Sequence, residues 1–281
     1  MQRDYMDRLT IAFIGAGNMG RSLAGGLLKS GWEQDRLIMT DPVPEQRQAV
    51  ERLFQITVFA DNAEAATAAD VLVLAVKPQV LRAVCEPLAS IAQQKKPLIV
   101  SIAAGVRIEP MERWLGGEVP LVRVMPNTPA LVGSGASALF ANPRVSAAQR
   151  DLAESILRTV GITVWLPNED LLDVVTALSG SGPAYFFLVM EALEGAAIAQ
   201  GLEPSIARLL TLETAFGAAK MALEGGTEPE ELRHRVTSPG GTTERGIAVL
   251  REGAIEQLFA DAVEAATQRA RELADMFGRE Q

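Results

Sequence analysis

The sequence predicts a doubly wound α/β domain built on a parallel sheet, followed by an all-helical domain. Three observations carry this. In the first half, short apolar or β-branched runs alternate with Ala- and Leu-rich segments of helical length. A glycine-rich turn joins the first such run to the first helix, and from about Glu169 onward no alternating strand pattern appears. Strand–helix–strand repetition with right-handed crossovers produces a doubly wound sheet.

The strand-like runs are Leu9–Ile14, Arg36–Thr40, Val71–Val76 and Leu98–Ile102, with Leu121–Val124 and Ala136–Phe140 continuing the series. Runs without polar alternation suit strands buried on both faces. Helices are predicted at Met19–Lys29, Pro44–Phe54 and Gln79–Ala92. The second half carries Ala-rich segments at Tyr185–Ala199, Ser205–Leu223, Thr243–Leu250 and Ile255–Met276. In the last, Ile255, Leu258, Phe259, Val263, Ala266, Ala270 and Leu273 recur at three- and four-residue spacing, which is one face of a long helix. Breaks fall at Gly201–Pro204, Gly225–Gly226 and Ser238–Gly241. The domain boundary is placed at Pro167, giving a first domain over 1–167 and a helical one over 168–281.

Composition narrows the function. A chain of 281 residues with 48% hydrophobic and 22% charged residues has the material for proper cores. A net charge of −9 disfavours non-specific nucleic-acid binding, which needs a basic face. One cysteine, Cys85, cannot form an internal disulfide and reads as a small buried apolar residue. The charged start, Met1–Arg8, reads as no secretory signal. The densest apolar run, Ala184–Met190, is too short for a bilayer, so a soluble cytoplasmic protein with no membrane partner is expected.

Ile14-Gly15-Ala16-Gly17-Asn18-Met19-Gly20 is a full G-x-G-x-x-G between a strand and a helix. Gly15 permits the tight turn, Gly17 lets a pyrophosphate approach the backbone, and Gly20 allows close helix–strand packing, as in Rossmann-type dinucleotide domains. The helix end then supplies free N–H groups to phosphate oxygens. Asp41, at the end of the second strand, has two readings: an acceptor for the ribose hydroxyls, favouring NAD over NADP, or a turn residue before Pro42. Arg47 lies close enough in sequence to offset its charge. Ala75-Val76-Lys77-Pro78 falls at the C-terminal end of a buried strand, where open sheets bind ligands. Lys77 reads equally as a phosphate or ribose contact and as a solvated cation.

There is no P-loop, no H-E-x-x-H and no cysteine pair, and His234 between Arg233 and Arg235 reads as a solvated helix residue. No metal site or Ser-His-Asp set is therefore expected. Asn127 and Thr128, between two prolines, read as a locally bonded turn, and Tyr185 as a packing residue.

Several segments together resemble pyrroline-5-carboxylate reductases: the glycine loop, Asp61-Asn62, Ala75–Pro78, Ser101–Gly105, Arg123–Pro129, Leu178–Tyr185 and Val236–Thr243. The likeness runs from about Ile11 to Leu273, and Ser238-Pro-Gly-Gly-Thr-Thr243 is its most specific part. The resemblance implies a dinucleotide domain, an all-helical domain that dimerises, and reduction of 1-pyrroline-5-carboxylate to L-proline by NADPH, or alternatively NADH. It implies that Ile14, Gly15, Ala16, Gly17, Asn18, Met19, Asn62, Ala75, Val76, Lys77, Pro78, Ile102, Ala103 and Ala104 line the cofactor. Ser238, Gly240, Gly241, Thr242 and Thr243 would hold the substrate carboxylate.

The residues support the same reading. The glycines of that segment allow unusual dihedrals, and a helix opening at Thr243 would turn free N–H groups toward an anion, with the Thr243 hydroxyl beside them as the group touching substrate. The competing reading makes Thr242 merely the N-cap of that helix. A β-hydroxyacid dehydrogenase shares the layout but needs a lysine where the helical domain begins; Leu178–Met190 has none, and Lys220 is the only lysine beyond Pro167. The all-round apolar Tyr185–Ala199 helix, with Gly195, Ala196 and Ala197 allowing close approach, predicts at least a homodimer.

Overall fold

The first strand shows why the strand runs are continuously apolar. In β1 (Ile11–Ile14), Ile11 and Phe13 enter a hydrophobic cluster on one sheet face, while Ala12 and Ile14 enter a second cluster on the other. Burying Ile11, Phe13 and Ile14 contributes roughly 1.5–3 kcal/mol each. The computed structural model describes residues 9–278; the charged N-terminal stretch read above lies outside them.

The elements follow as α1 (Asn18–Lys29), β2 (Leu37–Thr40), α2 (Pro44–Phe54), β3 (Thr57–Phe59), α3 (Asn62–Ala68), β4 (Val71–Leu74), α4 (Pro78–Lys95), β5 (Leu98–Ser101), α5 (Ile108–Trp114) and β6 (Leu121–Met125). After them come β7 (Gly135–Ala141), α6 (Ala147–Arg158), β8 (Gly161–Trp165) and α7 (Leu171–Val175), which continues into a π turn at Thr176–Gly180. The remainder is α8 (Gly182–Ala199), α9 (Pro204–Gly225), α10 (Pro229–Arg235), α11 (Thr242–Glu252) and α12 (Ile255–Gly278). Strand order is β3-β2-β1-β4-β5-β6-β7-β8. The order reverses at β1/β4, the switch point where such sheets bind ligands.

Three differences from the sequence reading have physical causes. The sheet is not wholly parallel: β6 pairs antiparallel with β7, Arg123 opposite Phe140, because a short 3₁₀ turn at Thr128–Val132 joins them where a crossover helix would be needed for parallel pairing. β3 and β8 escape prediction because they are short sheet edges, half-exposed and without a continuous buried run. β8 is held closely at its start, where a Cβ on Gly161 (φ +154°) would lie 1.9 Å from the Gly135 carbonyl oxygen.

The third difference is the boundary. The compact units are a sheet unit, running to Ser181 and including the last helix from Ala266 on, and a helical unit over Gly182–Ala265. Pro167 ends the strand pattern, but α7 and the π turn pack with the sheet. Leu171–Ala199 is also a 29-residue helical stretch of mean hydropathy 1.3, long and apolar enough by length and composition to cross a membrane; the seven-residue run read from the sequence understated it.

Candidate functional site

The C-terminal edge of the sheet unit gathers the predicted cofactor residues. The Gly15 N–H donates to the Thr40 carbonyl (3.0 Å), and the Ala75 N–H donates to that of Ile14 (2.9 Å). Gly15 has φ +106°, and a Cβ there would stand 2.8 Å from the Ala75 carbonyl oxygen and 2.9 Å from Val76 Cγ1. The loop therefore lies against the end of β4, and only glycine fits. Gly17 meets open space and is the N-cap of α1, with no side chain capping the helix. An open, uncapped helix end beside the switch point suits a dinucleotide pyrophosphate.

The other predicted residues take distinct places. The Ile14 and Ala16 side chains are buried, so they can reach a ligand only through backbone. Asn18 is exposed and Met19 half-buried at the start of α1. Lys77 is the exposed N-cap of α4 and Pro78 its first residue. Ile102 and Ala104 are accessible after β5, while Ala103 is buried, its N–H 3.4 Å from Ser101 Oγ.

Asp41 fills the turn role and a further one that its sequence position does not suggest. Its Oδ1 accepts from the Val43 N–H (2.9 Å), and its Oδ2 accepts from the Ala16 N–H (3.1 Å). One carboxylate thus brackets the glycine loop to the β2 turn. Arg47 donates to the carbonyls of Asp41 (2.7 Å) and Pro42 (2.9 Å), tying α2 to that turn.

Beyond this edge, α7 is fastened to the sheet by ions. Arg123, 3% exposed, donates to Glu169 (2.9 Å) and lies 3.7 Å from Asp173 Oδ1. Arg107 pairs with Asp170 and, at 3.0 Å, with Asp173 Oδ2. Burial pushes the Asp173 carboxyl above its ordinary range, against the pull of the two arginines, whereas the Arg107 hydrogen bond holds Asp170 below it. The Asn127 carbonyl accepts from the Ala130 N–H (3.2 Å) in the local turn, but its side chain reaches further: Nδ2 donates to the Ser179 carbonyl (3.1 Å) and Oδ1 accepts from the Ala136 N–H (2.9 Å). Arg123 in an apolar strand and the acidic Glu169–Asp173 cluster were the only sequence signals of this arrangement. Cys85 is buried, which pushes its thiol up to about 12.

In the helical unit, Ser238–Thr243 forms a turn into α11. Gly240 has φ +72°, the Gly241 N–H donates to the Ser238 carbonyl (3.0 Å), and the Gly240 N–H donates to Glu244 Oε2 (2.8 Å). The helix opens at Thr242 with Gly241 as N-cap, one residue earlier than expected, so Thr242 is not the cap. No side chain caps this end, and first-turn N–H groups such as those of Thr242 and Thr243 have no intrahelical partner. The Gly240 and Gly241 N–H groups, by contrast, are engaged within the turn. His234 is exposed on α10, 3.8 Å from Glu230.

Known proteins match both halves. The family model for pyrroline-5-carboxylate reductase dimerisation matches residues 169–273, and that for NADP oxidoreductase coenzyme F420-dependent matches 10–105. A pyrroline-5-carboxylate reductase of Pseudomonas aeruginosa is 52% identical, covering 96% of this chain and 98% of its own. Among solved structures, the Coxiella burnetii pyrroline-5-carboxylate reductase superposes with TM-score 0.91 at 46% identity, over 95% of this chain and 98% of its own. The Plasmodium falciparum pyrroline carboxylate reductase with NADP bound gives 0.84 at 29% identity, over 95% and 99%.

Proposed function

The chain belongs to the pyrroline-5-carboxylate reductase family, and from that premise we propose which of its residues carry the reaction. It is an NAD(P)H-dependent oxidoreductase of proline biosynthesis, reducing 1-pyrroline-5-carboxylate to L-proline. A bound reduced nicotinamide would supply the hydride to the imine carbon, and with a proton taken up at nitrogen the C=N bond would become the C–N bond of proline. An imine is already electrophilic, so the protein's task is mainly to hold and orient.

In the sheet unit, the loop from Gly15 to Met19 and the N–H groups of α1 hold the pyrophosphate, with Asp41 keeping the loop in place. Asn62, Ala75–Pro78 and Ile102–Ala104 line the rest of the cofactor. NADP in the Plasmodium relative supports use of the phosphorylated form, with NADH as the alternative.

In the helical unit, Ser238–Thr243 holds the substrate carboxylate. The single observation that carries this is the uncapped start of α11. Its free N–H groups and the helix dipole favour an anion, and the Thr243 hydroxyl adds a donor. Gripping the carboxylate fixes the ring for hydride delivery. We assign the turn's Gly240 and Gly241 the job of shaping it, since their N–H groups are engaged. The exposed apolar faces of α8 and α9 meet a second copy, making the protein at least a homodimer, which the dimerisation match supports, and our reading keeps it soluble and cytoplasmic.

The test is direct. Purified protein given 1-pyrroline-5-carboxylate oxidises NADPH or NADH, followed by loss of reduced-nicotinamide absorbance. Folded protein that oxidises neither contradicts the assignment.

A further inference from the structure

We propose that Thr40 is a positioning residue: its hydroxyl fixes the Asn62 carboxamide so that the amino group, and not the oxygen, is offered to the cofactor's adenosine ribose. This rests on the reading that the C-terminal edge of the sheet holds the dinucleotide.

Thr40 is the last residue of β2 and is completely buried. Its Oγ1 lies 2.6 Å from Asn62 Oδ1. That separation is characteristic of an O–H···O hydrogen bond and is shorter than ordinary N–H···O contacts. The hydroxyl therefore donates to the amide oxygen. An asparagine side chain has one acceptor end and one donor end. With the oxygen turned to Thr40, the amino group points away from the strand end.

Nothing about helix capping requires this arrangement. Asn62 is the first residue of α3, but the cap is Asp61, whose Oδ1 accepts from the Ala63 N–H at 2.8 Å. Asn62 is half-buried, so its amide remains accessible. It stands beside the position that reads the ribose in dinucleotide folds, the end of β2. The acidic residue at that position, Asp41, has both carboxylate oxygens engaged by backbone N–H groups. A neutral donor next to it suits a 2′ oxygen, whether of a free hydroxyl or of a 2′-phosphate.

The experiment compares wild-type protein with Thr40→Val, Thr40→Ser and Asn62→Ala. Dissociation constants for NADPH and NADH are measured by fluorescence titration, together with kcat at saturating cofactor. Valine keeps the shape and removes the hydroxyl, so Thr40→Val weakens cofactor binding roughly tenfold. Serine restores binding to within about twofold of wild type, since it keeps the hydroxyl, and with Thr40→Val the loss falls on cofactor affinity more than on kcat. Weakening of both cofactors assigns the amino group to a ribose oxygen that the two share, and weakening of NADPH alone assigns it to the 2′-phosphate; either supports the proposal.

If Asn62→Ala leaves both constants unchanged, Asn62 is not a cofactor contact and the underlying reading fails there. If Asn62→Ala weakens binding but Thr40→Val does not, or if serine is as poor as valine, the positioning role is overturned.

Discussion

The two units solve the problem of a core in opposite ways. In the sheet unit, every strand from β1 to β6 except the edge strand β3 contributes fully buried side chains, and clusters on both faces enclose Phe13, Leu23, Leu72 and Leu81. In the helical unit only Gly182 and Ala207 are buried among its described residues. Phe186 is 68% exposed and Leu209 66%, and α8 and α9, though packed on each other, keep most of their apolar side chains in solvent. The first unit is held together by its own chain. The second carries core-type sequence without a core, and our proposal places that core between two copies.

The largest expected effect therefore comes from a charge on the apolar face. Phe187→Asp on α8 should abolish the dimer and with it activity, checked by light scattering beside the reductase assay. A wild-type protein that stays monomeric and active at low concentration would break the comparison.

Next in size is a change inside the sheet unit. Arg123→Met leaves the Glu169 and Asp173 carboxylates without their buried cation and should cost about 3–5 kcal/mol, a fall in Tm on the order of 10 °C. Burial raises the Asp173 pKa in the folded state, so the folded protein holds that proton more tightly, and the cost of ionisation appears as pH rises through the raised value. The variant's deficit should thus shrink in acid, where thermal unfolding between neutral pH and the carboxylate range would show it. A deficit that grows in acid would mean that Asp173 is not the group left stranded.

Two smaller effects should separate the units by function. Thr243→Val removes one hydroxyl donor to a charged group, about 1–3 kcal/mol, so kcat/KM for the imine falls roughly 10- to 100-fold. NADPH affinity, measured separately, stays put. Asp41→Ser should instead shift preference toward NADPH by about tenfold, by removing a negative charge near the 2′ position. It also frees the Ala16 N–H, so affinity for both cofactors drops. An unchanged NADPH/NADH ratio would leave Asp41 with its bracketing role alone.

What could be read from the sequence follows the same division. Central strands and long helices announce themselves because burial on both faces, or a continuous helical stripe, leaves an unbroken pattern; α2 falls at Pro44–Phe54 as read. Edge strands such as Thr57–Phe59 carry half the pattern and are lost. Glycine loops are legible because their backbone demands are local. Asn127, which reaches from the end of β6 to Ser179, and Thr40, which reaches Asn62, are not, because their partners are chosen by folding and lie far along the chain. The boundary illustrates this as well. Pro167 ends the strand pattern, yet the ion pairs of Arg107 and Arg123 keep α7 with the sheet.

The central claim is that the turn into α11 recognises the substrate by its carboxylate. Steady-state rates with 1-pyrroline-5-carboxylate and with 1-pyrroline, which lacks that group, test it on the unmodified protein at saturating NADPH. The account predicts that 1-pyrroline is the far poorer substrate, by at least roughly tenfold in kcat/KM, the equivalent of one lost hydrogen bond to a charged group. Equal turnover of the two imines would contradict it and leave Ser238–Thr243 as no more than the start of a helix.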